Sequence, residues 1–218
     1  MNSYLLPAGG AIRFSGPTDG PVVICMNGGL AHPVPGDWSP SIEWLVGQLV
    51  PRFPQVGFAE LRYRIKSWRQ LGSLVIDATE AIAATRARGA SDLALLGFSA
   101  GGATSLVCAG TSGIKNVIAL APWIPEQLDL APLAGTRILV LHGSLDGDRF
   151  GFPGVSPRHS QAGVARLRAA GAEVIYTTIG GGVHGVAIRP FGRMIPLPRS
   201  GEWLRLVSEE VASFSGAG

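Results

Sequence analysis

A serine flanked by glycines is the strongest candidate nucleophile in the chain. Residues 93–102 read LALLGFSAGG, an apolar run that ends in Gly97-Phe98-Ser99-Ala100-Gly101 and passes straight into a segment rich in small and apolar residues. That layout predicts a strand, a tight turn and a helix. The turn forces the serine into a strained backbone conformation, and glycines two residues to either side remove the side chains that would collide there. With 31 Gly in 218 residues a bare G-x-S-x-G match arises easily by chance, so the signal lies in its strand-to-helix context. The competing role for Ser99 is a helix N-cap, which a hydroxyl also suits.

A hydroxyl is a weak nucleophile at neutral pH and needs an imidazole base, which in turn needs an acid to fix its tautomer. Where such a turn carries the nucleophile, the partners follow in the order acid, then histidine. The chain supplies both. After a predicted strand at 138–141 comes His142-Gly143-Ser144-Leu145-Asp146, and after one at 174–179 comes Gly180-Gly181-Gly182-Val183-His184-Gly185. Asp148, two residues beyond Asp146, competes for the acid position, as do Glu126 and Asp129 after the preceding strand. The other histidines fit less well: His32 follows the first central strand, His142 completes a strand and His159 lies near a helix start. The Gly180–Gly182 run is no phosphate cradle, because no Lys followed by Ser or Thr comes after it at nucleotide-loop spacing.

These residues need a scaffold that brings several strand ends together. Runs rich in apolar and β-branched residues recur at 11–14, 22–26, 56–61, 93–98, 117–120, 138–141 and 174–179. Segments of helical periodicity lie at 42–50, 71–88, 100–109, 158–170 and 201–214. Several strands are apolar on both faces, which a parallel sheet covered by crossover helices requires. The expected class is α/β, a doubly wound and mostly parallel sheet in a single domain over residues 1–218. Gly89 and Gly171, each after a helix ending in Arg, fit helix termini.

Composition excludes other classes. At 46% hydrophobic and 15% charged residues the chain can bury a core, so intrinsic disorder is excluded. No apolar run approaches the ~20 residues of a membrane span, and residues 1–14 do not read as a signal peptide, so the expected compartment is the cytoplasm. A net charge of +3 spread along the chain argues against a nucleic-acid partner. The dense stretch Arg62, Arg64, Lys66 and Arg69, interleaved with Tyr63, Ile65 and Trp68, reads as a strand end with a solvated face. Cys25 and Cys108 lie in apolar surroundings, without metal-ligand spacing, and read as buried thiols. Neither a metal nor an organic cofactor is implied.

Taken together, GFSAGG, HGSLD and VHG resemble the α/β-hydrolase superfamily, most closely its small lidless esterases of the dienelactone-hydrolase-like kind, over about residues 22–214. The resemblance implies Ser99 as nucleophile, Asp146 as orienting acid and His184 as general base. It also implies an oxyanion hole built from the amide of Ala100 and one in the loop Asn27-Gly28-Gly29-Leu30, where Gly29 and Leu30 both remain open. Many relatives carry His where this chain has Asn27. The stretch Glu60-Leu61-Arg62-Tyr63-Arg64 sits where relatives often place an acid and an Arg, and reads as structural.

The expected reaction is hydrolysis of small carboxylic esters through an acyl-enzyme. The alternatives are thioester hydrolysis or acyl transfer by the same triad, or a catalytically silent binding protein of the same fold. Residues 121–137 are too few for a helical lid, so an open site is expected, walled by Leu30, Trp123, Phe150, Phe152 and Phe191, with Met194 and Ile195 nearby. A shallow apolar pocket of that kind would prefer acyl groups of about two to six carbons.

Overall fold

The computed structural model describes residues 2–147 and 154–216. In chain order its elements are β1 (Ser3–Leu5), β2 (Ala11–Ser15), β3 (Pro21–Met26), β4 (Val34–Pro35), α1 (Pro40–Leu49), β5 (Gly57–Arg62), β6 (Ile65–Lys66) and α2 (Leu71–Arg86). They continue with β7 (Asp92–Phe98), α3 (Ala100–Ser112), β8 (Asn116–Leu120), β9 (Arg137–Gly143), α4 (Pro157–Ala169), β10 (Glu173–Ile179), β11 (Ala187–Ile188), β12 (Ile195–Pro196) and α5 (Ser200–Ser215). Eight strands form one sheet in the order β1-β2-β5-β3-β7-β8-β9-β10. From β5 to β10 every pairing is parallel, while β1 and β2 run antiparallel at one end. Two short pairs, β4 with β6 and β11 with β12, stand apart from this sheet.

The central strands are buried on both faces. In β3, Val22, Ile24 and Met26 join the core beneath α2, α3 and α4, while Val23 and Cys25 join the core beneath α1 and α5. Helix α1 shows how local sequence places an element. Ser39 Oγ accepts the Ile42 amide, Pro40 occupies the first turn where its missing N–H costs nothing, and Ile42, Leu45, Val46 and Leu49 form the buried stripe. Ser156 and Pro157 start α4 in the same way.

The seven expected strands and five expected helices all form, with ends shifted by at most three residues. The additions are β1, an exposed edge strand whose sequence SYL has little periodicity, and the two short pairs. The connection from β8 to β9 contains one short 3-10 turn (Ala131–Leu133) and no lid. Among the described residues no helix is long and apolar enough to cross a membrane.

Candidate active site

Open parallel sheets bind ligands at the carboxyl ends of their strands, where crossover loops diverge. Ser99 follows β7, Asp146 follows β9, His184 follows β10 and the Asn27–Leu30 loop follows β3. The topology therefore delivers all of them to one edge.

Ser99 has φ 55° and ψ −115°, a conformation L-residues rarely adopt, and its side chain makes no cap hydrogen bond to α3. Such strain costs about 1–3 kcal/mol and persists only when the surroundings over-determine it. Here three backbone bonds do so: the Ser99 amide donates to Leu120 O (2.9 Å), and Ser99 O accepts from the amides of Gly102 (2.9 Å) and Trp123 (3.1 Å). The flanking glycines are required by close approach. A Cβ on Gly97 would lie 2.1 Å from Gly101 O, and one on Gly101 would lie 2.4 Å from Asn27 O. A Cβ on Gly28 would stand 3.2 Å from Ser99 Cβ, so the Asn27–Leu30 loop runs directly beside the serine.

Asp146 is buried, and its carboxylate is fully engaged. Oδ2 accepts from His184 Nδ1 at 2.8 Å, and Oδ1 accepts from the Val155 amide at 3.1 Å. His142 Nε2 approaches Oδ2 at 3.2 Å as well. Burial pushes the Asp146 carboxyl up, but the hydrogen bonds from His142 and His184 outweigh it and hold the group below the ordinary carboxylate range. Because Nδ1 of His184 faces a carboxylate, it carries the hydrogen, and Nε2 is left as the acceptor a nucleophile would need. The Phe98 ring packs on the imidazole with centroids 4.8 Å apart.

Two anchors hold the loops that bear this pair. A Cβ on Gly143 would lie 2.5 Å from Gly182 O, and the Leu145 amide donates to Gly182 O at 2.9 Å, so the acid and histidine loops touch backbone to backbone. Beyond His184, buried Ser41 Oγ of α1 accepts the amides of Val186 (3.0 Å) and Ala187 (3.2 Å) and donates to Ala187 O (3.1 Å). Arg189 pairs with Glu43 of the same helix, and Glu43 also meets Arg13 at 2.8 Å.

In the loop after β3, buried Asn27 turns its Oδ1 to the Gly28 amide (2.7 Å) and its Nδ2 to Asp37 Oδ1 (3.2 Å). The Gly28 amide is thereby occupied. Leu30 is tied into a parallel bridge with Ser67, and Trp68 N donates to Leu30 O at 3.1 Å. Gly29 lies between them, where a Cβ would sit 2.6 Å from Trp68 N. Ala100 opens α3, whose first amides have no intrahelical acceptor.

Ser99, Ala100, Gly29, Leu30, His184 and Trp123 all line one cavity of about 870 Å³. Phe191 does not: it is fully exposed, beyond the short β11 strand. Phe150, Phe152 and the competing acid Asp148 lie outside the described residues. Val155, Ile188, Leu197 and Trp68 supply further apolar wall, and Trp68 packs against Trp123 in a tilted contact with centroids 5.5 Å apart. The stretch 62–69 is thus more than a solvated strand end, because Lys66 and Trp68 face the cavity and Lys66 pairs with Asp37 at 2.6 Å. His32 and Asp129 do not line the cavity, and His159 Nε2 instead accepts the Ile124 amide at 3.3 Å. Among the described residues no group of three or more His, Cys, Asp and Glu side chains is placed to hold a metal ion.

No protein-family model and no curated protein sequence matches the chain. Solved structures do. MGS-M1, an α/β hydrolase enzyme from a Medee basin deep-sea metagenome library, superposes with a TM-score of 0.71 at 18% identity over 99% of this chain and 98% of that one. Est1E from Butyrivibrio proteoclasticus gives 0.70 at 12% identity, covering 98% and 99%. An α/β serine hydrolase homologue from Coxiella burnetii gives 0.70 at 18% identity, covering 97% of each. The chain has the α/β-hydrolase fold.

Proposed function

We propose that the protein is a serine hydrolase acting on carboxylic esters, with Ser99 as nucleophile, His184 as general base and Asp146 as the acid that orients the imidazole. The observation that carries this reading is the hydrogen bond between buried Asp146 and His184, the latter lining the same cavity as a serine held in strained backbone without a capping role. In the first half-reaction Ser99 Oγ attacks the ester carbonyl as His184 Nε2 takes its proton. The carbonyl oxygen becomes an oxyanion facing the amides of Ala100 and Gly29. Gly29 is preferred over Leu30, whose backbone the Ser67 bridge already engages. Collapse expels the alcohol, which receives the proton from His184, and leaves the acyl group on Ser99. Water then attacks, giving its proton to His184, and the acid leaves with Ser99 restored.

A volume of about 870 Å³ lies toward the upper end of ordinary small-molecule sites. With Trp68, Trp123, Val155, Ile188 and Leu197 as walls, the site has room for more than the acyl groups of about two to six carbons expected for a shallow pocket. Assay of p-nitrophenyl esters and acyl thioesters of graded length tests the reading. Saturable ester hydrolysis with activity maintained beyond six carbons is expected. Faster turnover of thioesters would move the assignment to a thioesterase, and no turnover of either series would remove it.

A further inference from the structure

His142 is buried completely, yet nothing in the triad chemistry requires a second imidazole. Its Nε2 lies 2.7 Å from Val155 O and 3.2 Å from Asp146 Oδ2. A carbonyl oxygen can only accept, so Nε2 carries the hydrogen and offers it to both oxygens. Val155 closes the figure from the other side, since its amide donates to Asp146 Oδ1 at 3.1 Å. The carboxylate is therefore clamped at one oxygen by an imidazole and at the other by the amide of a residue whose carbonyl the same imidazole holds. On its far side His142 Nδ1 is buried and has no hydrogen-bond partner among the described residues. An unsatisfied buried nitrogen is a cost that an apolar residue of similar size would avoid, so packing alone does not account for a histidine here.

We infer that His142 is a positioning residue, which holds the Asp146 carboxylate in the plane and charge state that His184 needs. The inference rests on the reading of Asp146 as the triad acid. The ionisable groups that meet at Oδ2 are His142 and His184. Their N–H groups share the charge of one oxygen, so removing the His142 donor leaves more charge facing His184. The imidazolium of His184 is then favoured, and a larger share of the base is protonated at a given acidic pH. Such a role moves kcat and its pH dependence together and leaves substrate binding alone.

The test compares His142→Leu, which removes the donor, with His142→Gln, whose amide N–H falls near the place of Nε2. Expected for His142→Leu is a kcat about tenfold lower with KM within about twofold, together with an acid limb of kcat/KM displaced to higher pH. His142→Gln should recover most of kcat and return the limb toward its original place. A folded His142→Leu with unchanged kcat and an unchanged acid limb would overturn the inference, as would equal losses in both variants without a displaced limb. Nitrogen-15 NMR of histidine-labelled unsubstituted protein reads the arrangement independently of turnover and of whether His142→Leu folds. Expected is the hydrogen of His142 on Nε2, and its presence on Nδ1 would overturn the inference. If no ester is turned over while NMR places that hydrogen on Nε2 and shows His184 titrating at higher pH in His142→Leu, the hydrolase reading falls and the positioning role stands.

Discussion

The two halves of the candidate site share one sheet edge but are held there by different means. Around Ser99 the constraint is steric: Gly97 and Gly101 let β7, α3 and the loop after β3 approach to distances no side chain permits, and three backbone bonds, two of them reaching Leu120 and Trp123, fix the turn. Around Asp146 and His184 the constraint is polar and long-range, with 38 residues separating the bonded pair. The acid loop depends on His142, four residues before Asp146 at the end of β9, and the histidine loop on Ser41 of α1. Backbone packing fixes where a nucleophile stands, whereas a network of hydrogen bonds also fixes charge and tautomer, which the base requires.

Substitutions in each half should separate these roles. The largest effects fall on turnover. Ser99→Ala should lower kcat by about 10³-fold or more while leaving thermal stability nearly unchanged, since the hydroxyl lost makes no cap hydrogen bond and alanine keeps the same Cβ and backbone conformation. Asp146→Asn should cost about 10³- to 10⁴-fold by offering the imidazole a donor where it needs an acceptor. Glu126→Gln and Asp129→Asn should leave kcat nearly unchanged in the same assay.

Next in size are effects on the fold. Gly101→Ala should destabilise by about 3 kcal/mol or prevent folding, because the new Cβ would meet Asn27 O at 2.4 Å. Gly47→Ala is its control: on exposed α1 surface with nothing within 4 Å of the added carbon, it should raise stability by about 0.5–1 kcal/mol. Denaturant melts of both variants decide whether close approach or helix propensity governs each glycine.

Smaller still is the anchor beyond His184. Ser41→Ala strips the acceptor from two buried amides and should cost about 1–3 kcal/mol in stability, with a fall in kcat of only a few-fold. Retention of full stability would show that the histidine loop is held by the Arg189–Glu43 pair instead.

The pH dependence of stability gives a finer reading of the polar half. Asp146 titrates lower in the folded protein than its ordinary value, so its contribution is present above the ordinary carboxylate range and is lost as pH falls through the depressed value. The stability difference between the unsubstituted protein and Asp146→Asn should therefore shrink on acidification. A difference that grows as pH falls toward the ordinary carboxylate range, and levels off below it, would mean that burial, not hydrogen bonding, dominates this carboxyl.

Sequence carried the steric half of the site almost completely, because glycine spacing, an apolar strand and a following helix are all local signals. It carried the polar half only in part. Asp146 and His184 stand out as candidate acid and base after strand ends, but Ser41 meets the histidine loop across 145 residues, and the contacts of His142 and Val155 with Asp146, four and nine residues away, follow from no sequence pattern. Phe191 illustrates the limit: near His184 in sequence, it lies on a 3-10 turn that faces it to solvent. Trp68 is the converse, far from every residue of the proposed triad in the chain and brought to the cavity wall by the bridge between Leu30 and Ser67. The antiparallel β1 edge was unreadable for a related reason, since three exposed residues leave no periodicity to detect.

The most direct test of the central claim is covalent capture of the nucleophile. Protein treated with a fluorophosphonate and digested should carry one phosphonyl adduct, located by mass spectrometry on Ser99, absent in Ser99→Ala and formed far more slowly in His184→Ala. An adduct on a different residue, or none under conditions where a known serine esterase labels fully, would contradict the account.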